Sequence, residues 1–144
     1  MMVNQDKFIA ACEKGHVEDI QNLMFAEGVD VNGVFEGGWT PLHLVCARKH
    51  RDAVELLLSH PKINVNQGGG YHYNNTPLHI ACFSGSKAIV DLLLEHPNII
   101  VNQLNKSAQT PLYFACSNKH TEIINQLLMH PGITVNQADS DNET

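Results

Sequence analysis

Thr-Pro-Leu-His-Ile-Ala-Cys at 76–82, then Ile-Val-Asp-Leu-Leu-Leu at 89–94 and a closing Val-Asn at 101–102, is the stretch whose reading decides the fold. Laid over itself, the sequence finds this unit again on either side. Cys12, Cys46, Cys82 and Cys116 are separated by 34, 36 and 34 residues, and Val31-Asn32, Val65-Asn66, Val101-Asn102 and Val135-Asn136 keep the same spacing. A third marker, the Thr-Pro-Leu run beginning at Thr40, Thr76 and Thr110, is spaced by 36 and 34. Independent markers with one period define an array, here of four units.

Each unit reads as two short helices. Thr40, Thr76 and Thr110 can accept a hydrogen bond from a free N–H of the first turn, and Pro41, Pro77 and Pro111 sit where a missing N–H costs least. Leu42, Val45 and Cys46, with their counterparts Leu78, Ala81, Cys82 and Leu112, Ala115, Cys116, form an i, i+3, i+4 apolar stripe. Turns follow at Lys49-His50, Gly85-Ser86 and Lys119-His120. The second helix carries Val54, Leu57 and Leu58 and their equivalents, and Pro61, Pro97 and Pro131 end it, since the residue before proline is pushed out of the helical region. Helices of about ten residues are unstable alone in water, so stacking must hold them.

Thr-Pro-Leu-His-Ile-Ala at 76–81, the leucine run 92–94 and Val101-Asn102 resemble the signature of the ankyrin repeat. The resemblance spans nearly the whole chain. The period of 34 exceeds the family's roughly 33 by one residue, and His-Pro-x-Ile-x-Val-Asn replaces the usual Gly-Ala-Asp before Val-Asn. The resemblance implies an all-α fold, an ankyrin-type solenoid of stacked helix-turn-helix repeats with short β-hairpin fingers projecting from one edge. A single domain is expected, with repeats at about 4–32, 38–66, 74–102 and 108–136 and an acidic, fraying tail at 137–144. Asn22 and Gln126 stand where the inner units have Leu56 and Leu92, and Asp6-Lys7-Phe8-Ile9 replaces Thr-Pro-Leu-His, so the outer units read as caps with polar outer faces.

Composition narrows the function. The 144 residues are 43% hydrophobic and 17% charged, which suits a folded chain. Nine Lys and Arg against fifteen Asp and Glu give a net charge of −6, spread along the chain, so no basic footprint for nucleic acid is present. The start is not a secretory signal and no apolar run is long enough for a bilayer, so a soluble, cytoplasmic protein without membrane contact is expected. Thiols one repeat apart should lie about 8–10 Å from each other. Disulfides need Cα atoms within about 7 Å, so the cysteines are expected to be free.

Repeat register also explains the pattern Cys-x-x-x-His at Cys12–His16, Cys46–His50 and Cys116–His120 without a metal: the thiol belongs to the stripe, the ring to the turn, and Ser86 breaks the series. His60, His96 and His130 read as helix C-terminal histidines favoured by the helix dipole. No nucleophile, base and orienting group converge, so no enzyme, cofactor or metal is expected. Gly68-Gly69-Gly70, followed by Tyr71 rather than a helix with a lysine, reads as a flexible hairpin and not a phosphate cradle. His43 and His79 resemble the family's structural histidine that ties neighbouring repeats, and Tyr113 departs from it.

The resemblance also implies a binding surface, the concave face made of finger tips and residues late in the first helices. Carried over unit by unit, the fingers offer Glu36 and Trp39, then Tyr71, His72, Tyr73 and Asn75, then Lys106 and Gln109. The helices offer Arg48, Phe83 and Asn118. Trp39, Tyr73 and Phe83 are expected near one another, as interface anchors often are. The competing reading folds Trp39 onto the next finger and Phe83 onto the next helix. The second finger, Gln67 to Asn75, is two residues longer than the third and joins glycines to aromatic tips, as adaptable binding loops do. The expected function is a monomeric, non-enzymatic module that binds an unidentified partner protein. A structural spacer or self-associating segment of a larger protein is the alternative.

Overall fold

The computed structural model describes residues 2–135. Asn136, the last residue of the fourth Val-Asn pair, and the acidic tail 137–144 lie outside the described residues.

Four helix pairs follow one another: α1 (Asn4–Lys14) with α2 (Val17–Leu23), α3 (Pro41–Ala47) with α4 (Arg51–Leu58), α5 (Pro77–Ser84) with α6 (Lys87–Glu95), and α7 (Pro111–Ser117) with α8 (Thr121–Leu128). The first helices pack in the order α1, α3, α5, α7 and the second in the order α2, α4, α6, α8, giving two layers. The threonine caps form as expected: the Thr40, Thr76 and Thr110 hydroxyl oxygens accept from the N–H groups of His43, His79 and Tyr113 at 3.5, 3.4 and 3.2 Å. The histidine rings return the bond, Nδ1 accepting from the N–H of Thr40 at 3.2 Å and of Thr76 at 3.0 Å. Tyr113 has no such acceptor, so the last unit is capped from one side only.

The apolar stripe is the core. Leu42, Val45, Cys46, Leu78, Ala81 and Cys82 are at most 1% exposed, as are Val54, Leu57, Ile89 and Leu93 of the second helices. All four cysteines are free, and three are buried. Cys116 is the exception. It holds the same register on α7, but no further helix pair covers that face among the described residues.

The Val-Asn pairs prove to be the mortar between units. Asn32 Nδ2 donates to the Lys62 carbonyl at 2.7 Å while its Oδ1 accepts from the Asn64 N–H at 2.8 Å. Asn66 does the same to Asn98 and Ile100, and Asn102 to Gly132 and Thr134. Each asparagine thus satisfies one backbone donor and one acceptor of the following unit.

Two expectations change. Among the described residues there is no β-strand: the first two fingers are tight loops closed by isolated bridges, Phe35 with Trp39 and Gly69 with Asn75, and the third by the Asn105 N–H donating to the Gln109 carbonyl at 3.1 Å. Loops this short turn back after one pair, which leaves no ladder to extend. Gln126 does not form a polar outer face. Its amide reaches back to the Asp91 carboxylate and the Lys87 carbonyl of α6, so the substitution serves the joint with the preceding unit.

Candidate functional site

The fingers are bonded to each other as well as closed on themselves. The Gly70 N–H donates to the Gly38 carbonyl at 3.0 Å and the Lys106 N–H to the Tyr73 carbonyl at 2.8 Å, so the long second finger is held from both sides. Lys106 Nζ adds a bond to the Tyr71 carbonyl at 2.6 Å. Asn105, 7% exposed, is the hub of this edge. Its Nδ2 donates to Asn75 Oδ1 and Gln109 Oε1, and its Oδ1 accepts from the N–H groups of Ser107 and Gln109.

The glycine run is packed, contrary to a flexible hairpin. A Cβ on Gly69 would stand 2.7 Å from the His43 ring, and one on Gly38 would stand 2.9 Å from the Tyr71 ring. These glycines are present because neighbouring groups approach too closely for any side chain.

His43 and His79 carry the tie between fingers and helices. Their Nε2 groups donate to the carbonyls of Asn75 and Gln109 at 2.7 and 2.9 Å, which fixes Nδ1 as the acceptor. Burial lowers the pKa of each to about 4, so both rings are neutral at pH 7. Burial raises the thiols likewise, Cys12 to about 12. These groups are scaffold, and their chemistry is quiet.

The named site residues divide into two kinds. Asn75 and Gln109 are half-buried and occupied in holding the fingers. Asn118 bonds back to the Phe114 carbonyl at 2.9 Å, and Arg48 pairs with Glu13 at 3.1 Å. Glu36 and His72 are exposed. Tyr71, Tyr73 and Phe83 stand out, at 66%, 61% and 57% exposure.

Trp39, Tyr73 and Phe83 do not stack on one another. Trp39 is half-buried and edge-on to His43 at 5.6 Å, Tyr73 is edge-on to His72 at 6.5 Å, and Phe83 is edge-on to Phe114 of α7 at 6.1 Å. Phe83 therefore leans on the next helix while leaving most of its ring in solvent.

Other features escaped the sequence reading. His60, His96 and His130 stand just after the second helices, and each Nδ1 accepts a backbone N–H two residues on, at 3.0, 3.1 and 3.0 Å. Phe25, 67% exposed, stacks on His60 with centroids 4.5 Å apart. It stands where the later units have Ser59, Glu95 and Met129, and that mismatch was its only signal. Lys49 and Lys119 adopt left-handed φ values of 59° and 58°, where the other two units place Gly15 and Gly85.

Among the described residues no three His, Cys, Asp or Glu side chains gather to hold a metal ion. Two of the three rings of the Cys-x-x-x-His pattern bond to backbone, His50 Nε2 with the Glu13 carbonyl at 2.9 Å and His120 Nε2 with the Phe83 carbonyl at 3.1 Å. In comparison with known proteins, a family profile described as "Ankyrin repeats (3 copies)" matches residues 8–105 and again 63–139. No curated protein matches the chain.

Proposed function

The chain belongs to the ankyrin repeat family, and on that premise we propose that it is a monomeric, non-enzymatic protein-binding module of the cytoplasm whose partner meets the concave face of fingers and first helices. Arrays of this family are generally protein–protein interaction modules. One observation carries the choice of surface: Tyr71, Tyr73 and Phe83 are each more than half exposed, the two tyrosines on a finger bonded to both neighbours and Phe83 on a helix. A large exposed side chain on a fixed backbone loses little freedom when a partner covers it. No described helix is long and apolar enough to cross a membrane.

The test uses proximity labelling with the full chain. Tyr73→Ala with Phe83→Ala should abolish capture of the partner and leave the circular dichroism unchanged, and Phe25→Ala, in the other layer, should leave capture intact. The reverse pattern would move the site to the second-helix layer.

A second reading, a spacer or self-associating segment, is favoured by the groups exposed at the α7–α8 end among the described residues. Cys116 is exposed there, with Leu128 at 46% and Met129 at 85% exposure. Light scattering over a concentration series tests it, a constant monomer mass counting against self-association.

A further inference from the structure

The two layers differ in charge. Of the nine Lys and Arg residues, all but Arg51, Lys62 and Lys87 lie on the first helices, the turns that end them, or the fingers. Of the twelve Asp and Glu residues among the described ones, only Asp6, Glu13 and Glu36 lie there. Six basic against three acidic residues give this side a positive surplus, on a chain whose net charge is −6. The second-helix layer neutralises two of its three bases, Arg51 with Asp52 and Glu55 at 3.0 Å each and Lys87 with Asp91 at 3.1 Å. Lys49 and Lys119 make no ion pair among the described residues, and Lys106 meets only a carbonyl.

The backbone adds a second, independent observation. Lys49 and Lys119 hold a left-handed conformation that disfavours any residue with a side chain, at a position where Gly15 and Gly85 show that glycine serves. Strain kept at such a position points to use of the side chain.

We infer that the segment bound by this face is acidic and extended, its carboxylates received by Lys49, Lys106 and Lys119 and an apolar or aromatic side chain seated against Tyr73 and Phe83. The inference rests on the concave-face reading above and names the partner's chemistry. Lys49 and Lys119 are two repeats apart, about 20 Å at roughly 8–10 Å per packed helix. An extended chain covers that distance in about six residues, so acidic residues should flank the anchor on both sides. Opposite charge on the receiving face and like charge on the other layer orient the approach of such a segment. A nucleic acid is the less suitable polyanion, because its backbone asks for an unbroken basic groove and the acidic layer repels it at long range.

Three probes test the inference on the full chain by fluorescence anisotropy and amide NMR: a labelled peptide with Glu pairs flanking Leu and Trp, its Lys-for-Glu counterpart, and oligouridylate. The acidic peptide is expected to bind, to perturb the amides of Lys49, Phe83, Lys106 and Lys119, and to weaken as salt rises. Lys49→Glu with Lys119→Glu should weaken it by about tenfold with unchanged circular dichroism. Failure of the acidic peptide to bind, equal or tighter binding of the Lys peptide or of oligouridylate, or perturbations confined to the second helices each overturn it. If both peptides perturb the finger side equally, the charge inference falls and the concave-face reading stands. Partner capture by the Tyr73 and Phe83 variant tests that reading separately.

Discussion

Lowering the pH from 7 to 5 is expected to remove about 3–4 kcal/mol of folding stability through two buried imidazoles. His43 and His79 are fully buried, and burial lowers each to about 4 from the 6.5 of a free ring. Between those values the unfolded chain binds protons that the folded chain does not, so stability falls as the pH falls. The contribution is complete above the unfolded value and has been lost by the time the pH reaches the folded one. At pH 5 nearly every unfolded ring is protonated and few folded ones are, which gives a little under 2 kcal/mol per ring, roughly. The structural cost is specific: a proton on Nδ1 removes the acceptor used by the N–H of Thr40 or Thr76, loosening the start of α3 or α5. Urea unfolding followed by circular dichroism at pH 7, 6 and 5 measures the loss, and His79→Gln should reduce it by about half. Equal urea midpoints at pH 7 and 5, or ring signals of His43 and His79 titrating near 6.5 in the folded protein, would refute the reasoning.

Other consequences can be measured on the same protein. Asn66→Ala removes the bonds to Asn98 and Ile100, of 2.7 and 2.9 Å, and should lower stability by about 1–2 kcal/mol in urea titration. Gly69→Ala drives a Cβ to 2.7 Å from the His43 ring and should cost about 1–3 kcal/mol, whereas Gly28→Ala meets nothing within 4 Å and should cost only its backbone strain. A thiol reagent should modify Cys116 alone in the native protein, with Cys12, Cys46 and Cys82 reacting only after unfolding; rapid reaction of a second thiol would show the stack to be open.

The repeat could be read from the sequence because its markers are local. A threonine cap needs only the residues that follow it, and the spacing of Leu78, Ala81 and Cys82 needs only the helix period. What the reading missed depends on groups about 30 residues away. The clamp formed by Asn66 was visible as a repeated letter, but its partners Asn98 and Ile100 belong to the next unit. Gly69 was misjudged for the same reason: its need for glycine comes from His43 in the preceding unit, which no local turn rule can show. The site was less legible than the fold. Asn75 and Gln109 look outward on a finger map, yet their carbonyls and side chains are consumed by His43, His79 and Asn105. Tyr71, Tyr73 and Phe83 are exposed, whereas Trp39 is half-buried against His43, because how far each finger leans on its neighbour depends on groups outside it.

The same accounting explains an unmarked residue in the first unit. If every unit needs an asparagine from its predecessor to satisfy one backbone N–H and one carbonyl, the first unit must find those partners elsewhere. Gln5 supplies the first of them. Its Oε1 accepts from the Asp30 N–H at 2.7 Å, the position equivalent to Asn64 and Ile100, while its Nε2 donates at 3.2 Å to the Asp30 carbonyl rather than to that of Gly28, the residue equivalent to Lys62 and Asn98. Asn4 adds a bond to the Glu27 carbonyl at 3.0 Å. This edge is therefore closed by its own side chains, while among the described residues Cys116 and Leu128 are exposed at the opposite edge. The stack consequently has a direction, set by which unit gives the asparagine and which receives it. At the α1–α2 edge an added unit must first displace Gln5 from the Asp30 N–H, whereas among the described residues no such side chain occupies the α7–α8 edge.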